Sequence, residues 1–379
     1  MNVKVQILIV CMIIISGCTD KTPRDENTSL KNSIPVDVTL MDYIPYDSLV
    51  SSIEFIPLET NTNCFVDEIT DVAFGKDLVL INGFRQPVYC FDKNGNFKFQ
   101  LGDLGIGPGE YQEINGISVE NGYIYMYDSR SGTMIIYDEI SGDYIRQLKF
   151  PFIYTKAYVL NGYVYASEFM DKYRLVSFPL NNLKAVKELY YSEETLLGNY
   201  KFRKKITRSD NRLFWTNPLT GDIYELEDGN MAQFISLDFG KNSLPSENLN
   251  EKVKEAKYAQ QIGDFLIADS IIHLTYYYNE EQYTCLFDFS LRRIFNMDLL
   301  KYMEKFRGKL NFAIQKMPFI SYESDGWFYE LIQPYGKFIV DQTLSPKYET
   351  YKRLKNLNED SNPYIVRYKF SLSEGGTCN

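Results

Sequence analysis

The chain contains a single histidine, His273, among its 379 residues. A site that holds a metal ion through several histidines is therefore excluded, and a Ser-His-Asp triad would have to use this one residue. His273 lies in the strand-like run IIHLTYYY at residues 271–278, so we expect it in the core or lining a face of the protein. Calcium loops of the D-x-D-x-D-G type are also absent from the sequence. We expect no metal site and no cofactor.

Cysteine is scarce and scattered, with six residues in the chain. Two of them, at positions 11 and 18, belong to the N-terminal signal described next. The other four fit neither a zinc site nor a disulfide framework by their spacing. Outside the cytoplasm two of these four could form a disulfide, and the sequence does not determine the pair. The four residues are Cys64, Cys90, Cys285 and Cys378.

The sequence contains no apolar run long enough to cross a bilayer. The apolar run at residues 7–15 has the length of a signal-peptide core. Lys4 precedes it and ISGC at residues 15–18 ends it, a pattern that resembles the bacterial lipobox. We therefore predict a lipoprotein signal peptide at 1–17 and lipidation of Cys18. The predicted location is the outer membrane, on its periplasmic face or at the cell surface. An ordinary signal peptide with a chance cysteine is the alternative.

Positive charge is in deficit, because the formal net charge is −10. A chain this acidic is a poor partner for nucleic acid, and we expect none. Residues 18–48 begin with a polar stretch without apolar periodicity, which predicts a flexible tether. Residues 373–379 are expected to form a disordered tail.

Aromatic residues are abundant instead, with 31 tyrosines and 25 phenylalanines, a composition typical of β-rich proteins. Many of them belong to a repeated unit, a turn followed by an alternating, aromatic-rich strand. Asn-Gly or Asp-Gly turns at 121–122, 161–162 and 325–326 are strong hairpin signals, because Asn and Gly tolerate positive φ. The strand cores start at Leu78, Ile124, Val164, Leu213, Ile271 and Trp327, at spacings of 46, 40, 49, 58 and 56 residues.

These spacings decide the predicted fold. The first three match a four-stranded propeller blade, and a second hairpin in each repeat, such as the one turning at residues 92–95, supplies the remaining strands. The longer spacings contain helical periodicity at 245–262 and 298–310, and a third such segment lies at 345–357. We interpret these segments as short helical insertions in the later blades.

One four-stranded sheet cannot bury both of its faces, and stacking such sheets in a ring also protects their edges. We therefore predict an all-β fold, a six-bladed β-propeller of four-stranded antiparallel blades over residues 49–372. Five or seven blades are the alternatives. Strand patterns at 52–58 and 363–370 lie outside the repeats, and we expect these two strands to pair and close the ring.

Four segments resemble a known family. They are IEFIPLET at 53–60, FDKNGNF at 91–97, GIGPGEY at 105–111 and NPYIVRYK at 362–369. Together with the lipobox they resemble the six-bladed β-propeller lipoproteins of Bacteroides-type bacteria, which are similar to the NHL-repeat propellers. The resemblance implies the fold and the anchor. It implies no reaction, because the family as a whole has none assigned.

Few residues suggest chemistry. The glycines of 105–109 could cradle a phosphate, but the Lys and Ser/Thr of a P-loop are missing and a strand follows, so we expect a structural loop. Arg203 and Arg208 belong to the dense basic cluster of residues 201–208. They are candidate ligand-binding residues if their loop reaches the channel mouth, and His273 is a third candidate if its strand is innermost. A solvated loop and a core histidine are the plainer interpretations.

Two functions fit these observations. The favoured one is a binding or scaffold protein of the cell envelope that presents a propeller face to a glycan, a peptide or a partner protein. The alternative is a carbohydrate-active hydrolase or lyase that uses paired carboxylates at the channel mouth. The fold does not choose between them, and no catalytic residue is named.

Overall fold

In a computed structural model of this chain, the described residues carry 27 β-strands and a 3₁₀ helix at Gly240–Asn242. Among them we find no helix that is long and apolar enough to cross a membrane. The described residues are 33–40, 49–168, 173–192, 206–209, 211–216, 221–245, 255, 257–259, 265–291, 293–298, 322–334, 354, 357–358 and 360–372.

Six antiparallel sheets of four strands form the blades of a propeller ring, which confirms the predicted fold. Blade I contains β3 (Ile69–Phe74), β4 (Leu78–Gly83), β5 (Val88–Asp92) and β6 (Phe97–Leu101). Blade II contains β9 (Ile114–Glu120), β10 (Tyr123–Asp128), β11 (Thr133–Asp138) and β12 (Tyr144–Lys149). Blade III contains β13 (Lys156–Leu160), β14 (Tyr163–Glu168), β15 (Tyr173–Pro179) and β16 (Lys187–Ser192).

The remaining blades follow the same order. Blade IV contains β17 (Ile206–Ser209), β18 (Arg212–Thr216), β19 (Asp222–Glu227) and β20 (Asn230–Asp238). Blade V contains β21 (Phe265–Ala268), β22 (Ile271–Tyr278), β23 (Glu281–Asp288) and β24 (Arg293–Asp298). Blade VI combines both ends of the domain and contains β25 (Tyr322–Ser324), β26 (Trp327–Ile332), β27 (Tyr364–Phe370) and β2 (Val50–Pro57).

The repeat seen in the sequence corresponds to the second strand of each blade. The turns before β10 and β14 have positive φ at both central residues, 53° and 81° at Asn121–Gly122 and 51° and 74° at Asn161–Gly162. Such two-residue turns match the right-handed twist of the strands they join, and Asn and Gly adopt them at low cost. The backbone preferences of the turn residues therefore fix where the second strand of these blades begins.

The core lies between the blades rather than at the centre of the ring. Six clusters of buried side chains fill the six spaces between neighbouring sheets. Blade I, for example, packs Leu80 and Cys90 against Ile124 and Met126 of blade II, and all four side chains are fully buried. Each sheet is thus covered on both faces by its neighbours, so stability depends on the complete ring.

The ring is closed by its termini, as predicted. Strand β2 pairs antiparallel with β27, with Phe55 opposite Val366, and β27 pairs on its other side with β26. Asn362, which is fully buried, fastens the entry to β27. Its side-chain amide donates to the carbonyl oxygens of Glu59 (2.7 Å) and Cys64 (3.2 Å), and its Oδ1 accepts the N–H of Val66 (2.8 Å).

The segment predicted as a tether, residues 18–48, contains a strand where the structure describes it. Strand β1 (Ser33–Pro35) pairs parallel with β20 and adds a fifth strand to the outer edge of blade IV. Ile34, Val36 and Val38 alternate along this segment and are all buried. This apolar alternation, over only five residues, explains why the segment packs on the propeller.

The loop at residues 102–111 links blade I to blade II and supports itself. Its two short strands, β7 (Asp103–Leu104) and β8 (Glu110–Tyr111), pair in parallel. The Glu110 carboxylate accepts the N–H of Gly107 at 2.8 Å, and the Tyr111 hydroxyl donates to the carbonyl of Leu101 at 2.8 Å. Gly102 has φ of 54°, and a Cβ there would collide with the Gly109 carbonyl oxygen. The glycines therefore serve backbone geometry, as expected.

Other sequence predictions fall partly or wholly outside the described residues. The helical insertions expected at 245–262, 298–310 and 345–357 lie mostly there, and so do the tail at 373–379 and Cys378. Cys64, Cys90 and Cys285 are described, and each is buried and outside a disulfide. Burial raises the pKa of Cys90 well above its ordinary value, which keeps this thiol protonated and unreactive.

Candidate functional site

The innermost strand of every blade faces the central axis of the ring. These strands, β3, β9, β13, β17, β21 and β25, each pair on one side only within their sheets. Their other edge turns backbone N–H and C=O groups toward the channel. Side chains at the ends of these strands are therefore the ones that can surround a ligand on the axis.

A cavity of about 510 Å³ lies where five of these strands end, those of blades I, II, III, IV and VI. This volume is within the range of roughly 300–1,000 Å³ typical of small-molecule sites. Its rim is formed by the turns between first and second strands and includes Lys76, Asn121, Asn161, Asn211 and Asp325. All five of these rim residues are exposed, so the cavity opens on this face.

The floor of the cavity is lined by side chains from within the strands. Ile117, Tyr158 and Thr207 are buried there, and Asp71 is half-buried. Burial and, secondarily, the charge of Asp71 raise the pKa of the Tyr158 hydroxyl well above its ordinary value. Tyr158 is therefore a neutral hydroxyl at physiological pH, and the floor combines apolar surface with uncharged and charged oxygen atoms.

Arg208 crosses the channel. It belongs to β17 of blade IV, and its Nη2 donates to the carbonyl oxygen of Val119 in β9 of blade II, at 2.9 Å. Blades II and IV are not neighbours in the ring, because blade III lies between them. The half-buried guanidinium thus bridges blades IV and II and places a fixed positive charge at the cavity.

Five carboxylates line the same cavity, and most of them hold neighbouring turns in place. Both oxygens of Glu120 accept backbone N–H groups of the blade III turn, from Asn161 at 2.7 Å and Gly162 at 3.1 Å. Glu139 accepts the N–H of Lys76 at 3.2 Å. These carboxylates tie blade II to both of its neighbours at the rim.

A hydrogen-bond network links Glu323, which lines the cavity, to β21, the innermost strand of blade V. Ser209 Oγ lies 2.8 Å from Glu323 Oε2 and 2.6 Å from the Ile267 carbonyl oxygen, and it accepts the Ile267 N–H at 2.9 Å. Glu323 also accepts the N–H of Gly326 at 3.1 Å. Ser209 and Glu323 come from blades IV and VI and Ile267 from blade V, so the network joins three successive blades.

The predicted site residues have different positions. Arg208 lines the cavity, but from strand β17 and not from a loop as expected. His273 does not, because it lies on β22, the second strand of blade V, and is 2 % exposed within the core between blades V and VI. The condition set for its binding role, an innermost strand, is not met. Arg203 and Cys18 lie outside the described residues.

Sequence reasoning did not find the carboxylates. Glu120 directly precedes the Asn121–Gly122 turn, and Glu323 lies two residues before the Asp325–Gly326 turn. A search for charged residues in the last two positions before each repeated turn would have found these two, because those positions end an innermost strand. Within the described part of the chain, no group of three or more His, Cys, Asp or Glu side chains could hold a metal ion.

A family model described as a domain of unknown function, DUF4934, matches residues 32–369. The chain belongs to the DUF4934 family. The match starts one residue before β1 and ends within β27, so it includes all six blades and the added strand. No curated protein matches the sequence.

Among solved structures, a protein of Bacteroides fragilis NCTC 9343 that is described as exported is similar to this member of the DUF4934 family, with a TM-score of 0.70 and 19 % identity. The alignment covers 89 % of this chain and 99 % of that protein. BamB from Moraxella catarrhalis and hydrazine synthase from Kuenenia stuttgartiensis align with TM-scores of 0.39 and 0.38, at 14 % and 9 % identity. These two alignments cover 66 % and 63 % of this chain and 68 % of each of those chains. The first likeness supports the fold, and the other two are too weak to carry an argument.

Proposed function

We propose that this DUF4934 protein is an exported lipoprotein, anchored through Cys18, that binds a small polar ligand in the central cavity of its propeller. The observation that carries the proposal is the cavity itself, in which side chains from five blades surround about 510 Å³. Groups that are distant in sequence meet there, as in most small-molecule sites. A whole partner protein could insert only a side chain or a chain end into this volume.

Binding is favoured over hydrolysis by the state of the carboxylates. Glycoside cleavage needs one carboxyl group that gives a proton and another that attacks or activates water. Glu120, Glu139 and Glu323 accept hydrogen bonds from backbone N–H groups, and Asp325 forms an ion pair with Lys93 of blade I. Such carboxylates are held as fixed acceptors, which suits recognition better than proton transfer.

Export and anchoring are supported by the N-terminal sequence and by the description of the Bacteroides fragilis protein as exported. Replacing Cys18 by Ala should release the protein from the membrane fraction and abolish labelling by a fatty-acid analogue, because the acceptor thiol is lost. Fractionation and metabolic labelling of the two forms measure this. Cys64→Ala, which alters a buried thiol, is the matched control and should leave both unchanged. Undiminished labelling of Cys18→Ala would refute the anchor.

Ligand binding is tested with protein that begins at residue 19 and a panel of saccharides and short peptides. We expect saturable binding to at least one member, and a loss of at least about tenfold in affinity in Arg208→Leu, because a charge-assisted hydrogen bond contributes roughly 1.5–3 kcal/mol. Arg146→Leu is the control, since Arg146 lies exposed on the outer strand β12. Melting temperatures verify that both variants fold.

Three results would count against the proposal. Binding to no panel member, or binding that Arg208→Leu leaves intact, would contradict a ligand site in the cavity. Release of a product from a bound saccharide would instead favour the hydrolase or lyase, and neutralising Asp71 or Glu120 should then stop turnover.

A further inference from the structure

Thr207 lies in the cavity with an unsatisfied hydroxyl. Its side chain is 4 % exposed, and Oγ1 has no hydrogen-bond partner among the described residues. It lies on β17, next to Arg208, and lines the cavity. Buried hydroxyls are almost always paired with protein or ordered water, so the partner of this one is a water molecule or a group of a ligand in the cavity. A hydroxyl both donates and accepts, and its natural complement has the same capacity.

The charges of the cavity point to a neutral ligand. Five acidic residues line it against two basic ones, Lys76 and Arg208, a difference of three negative charges. An anionic ligand would therefore meet net repulsion. Four of the five acidic groups are engaged by the protein donors described above, and Asp71 accepts the N–H of Val72 at 3.0 Å. The fixed guanidinium of Arg208 opposes a cation at the wall. Carboxylate oxygens nevertheless keep lone pairs for further donors.

Aromatic surface completes the wall. The rings of Phe74 and Tyr322 meet edge to face, with centroids 6.4 Å apart, and both residues line the cavity. Aromatic faces offer rigid apolar area to the C–H surface of a ligand. A ligand that satisfies this wall therefore needs an apolar face as well as hydroxyl groups.

We infer that the cavity recognises a neutral, hydroxyl-rich ligand of the size of a mono- or disaccharide, with one ligand hydroxyl paired to Thr207. Such a ligand donates to the carboxylates, accepts from Arg208 and needs no buried unpaired charge. The inference deepens the proposed function and rests on it. The proposed function gives only the position of the ligand site. The inference adds the chemical class of the ligand and its contact with Thr207.

The test compares neutral mono- and disaccharides with uronic acids, amino sugars, linear diamines and dicarboxylates in calorimetric titrations. Thr207→Val removes the hydroxyl and keeps the shape. We expect the affinity for the best neutral saccharide to fall by about five- to tenfold, the effect of one lost hydrogen bond. Thr133→Val, a buried substitution in β11, should leave this affinity unchanged.

A second readout separates a ligand-facing hydroxyl from a structural one. Without a protein partner to lose, Thr207→Val should keep or raise the melting temperature of the free protein, because an unpaired buried hydroxyl is unfavourable. A clear fall in the melting temperature would show that the hydroxyl supports the fold, and would overturn its assignment to the ligand.

The outcomes for the ligand class differ from those for the proposed function. If charged ligands bind and depend on Arg208 while neutral saccharides do not bind, the cavity remains a site and the inferred class is wrong. If neutral saccharides bind equally well to Thr207→Val, the contact is wrong. If no ligand shows dependence on Arg208, the proposed function fails as well.

Discussion

Deleting residues 361–379 is expected to abolish the cooperative unfolding of the entire propeller. The deletion removes β27, the strand between β2 and β26, and leaves both without a partner along that side. Five buried side chains leave the core with it, those of Tyr364, Ile365, Val366, Tyr368 and Phe370. At roughly 1.5–3 kcal/mol each, their loss is on the order of 10 kcal/mol, comparable with the whole stability of a domain.

The effect should spread beyond blade VI. Asn362 is also lost, and with it the hydrogen bonds that hold the segment from Glu59 to Val66 at the entrance to blade I. Because the core lies between blades and β27 contributes to both faces of blade VI, its loss uncovers the clusters that this blade shares with blades I and V. A ring opened in this way presents unpaired sheet edges that favour aggregation.

Circular dichroism and calorimetry measure the prediction. The matched control is a deletion of residues 373–379 alone, which removes none of the strands described and should preserve the melting transition. A protein lacking residues 361–379 that still melts cooperatively at the original temperature would contradict closure of the ring by β27.

The blade repeat could be predicted from sequence because its signals are local. The six strand cores predicted at Leu78, Ile124, Val164, Leu213, Ile271 and Trp327 fall in β4, β10, β14, β18, β22 and β26, the second strand of each blade. Turn residues such as Asn161 and Gly162 set these strands through their own backbone preferences. The pairing of β2 with β27 was also predictable, since each was a strand pattern without a complete repeat.

The cavity could not be predicted in the same way. Arg208 reaches Val119, 89 residues away in sequence, and Ser209 reaches Glu323, 114 residues away. Such contacts depend on the curvature of the ring, which brings the ends of non-neighbouring strands together, and no spacing in the chain encodes them. Strand β1 escaped prediction for another reason, since the alternation of Ile34, Val36 and Val38 spans only five residues beside a long polar stretch.

The other large effect expected is a loss of stability that begins at pH 6.5, continues toward pH 4 and comes from His273. Its imidazole is buried beside the Phe328 ring, with centroids 6.3 Å apart, and its Nδ1 has no hydrogen-bond partner among the described residues. Burial lowers the pKa of His273 to about 4, from an ordinary value of 6.5. The folded state therefore keeps the ring neutral over a pH range in which the unfolded chain binds a proton.

The sign follows from that difference in bound protons. Above pH 6.5 both states are neutral at this residue and the full stability is present. As the pH falls from 6.5 toward 4, the unfolded state takes up a proton that the folded state excludes, so the free energy of unfolding decreases. A difference of about 2.5 pH units corresponds to about 3 kcal/mol, which is a large share of a typical domain stability.

Carboxylates change the stability in a lower pH range, so a carboxylate variant is the control for the histidine variant. The pKa of Asp138 lies below its usual range because the backbone N–H groups of Ser141 and Ile140 donate to it. The stability that it contributes is present above the ordinary aspartate pKa and is lost only as the pH falls below it. Asp138→Asn should therefore change the pH dependence only below about pH 5, while His273→Phe should already flatten it between pH 6.5 and 5.

Denaturant unfolding at several pH values measures the stability, and the single histidine makes a direct titration feasible. Since no other imidazole is present in the chain, the histidine ring protons in an NMR spectrum belong to His273 without assignment experiments. They should keep the chemical shift of the neutral ring down to about pH 5 in the folded protein and titrate near pH 6.5 in denaturant. A folded-state titration near pH 6.5 would show that the ring is hydrated, and the space between blades V and VI would then have to admit water.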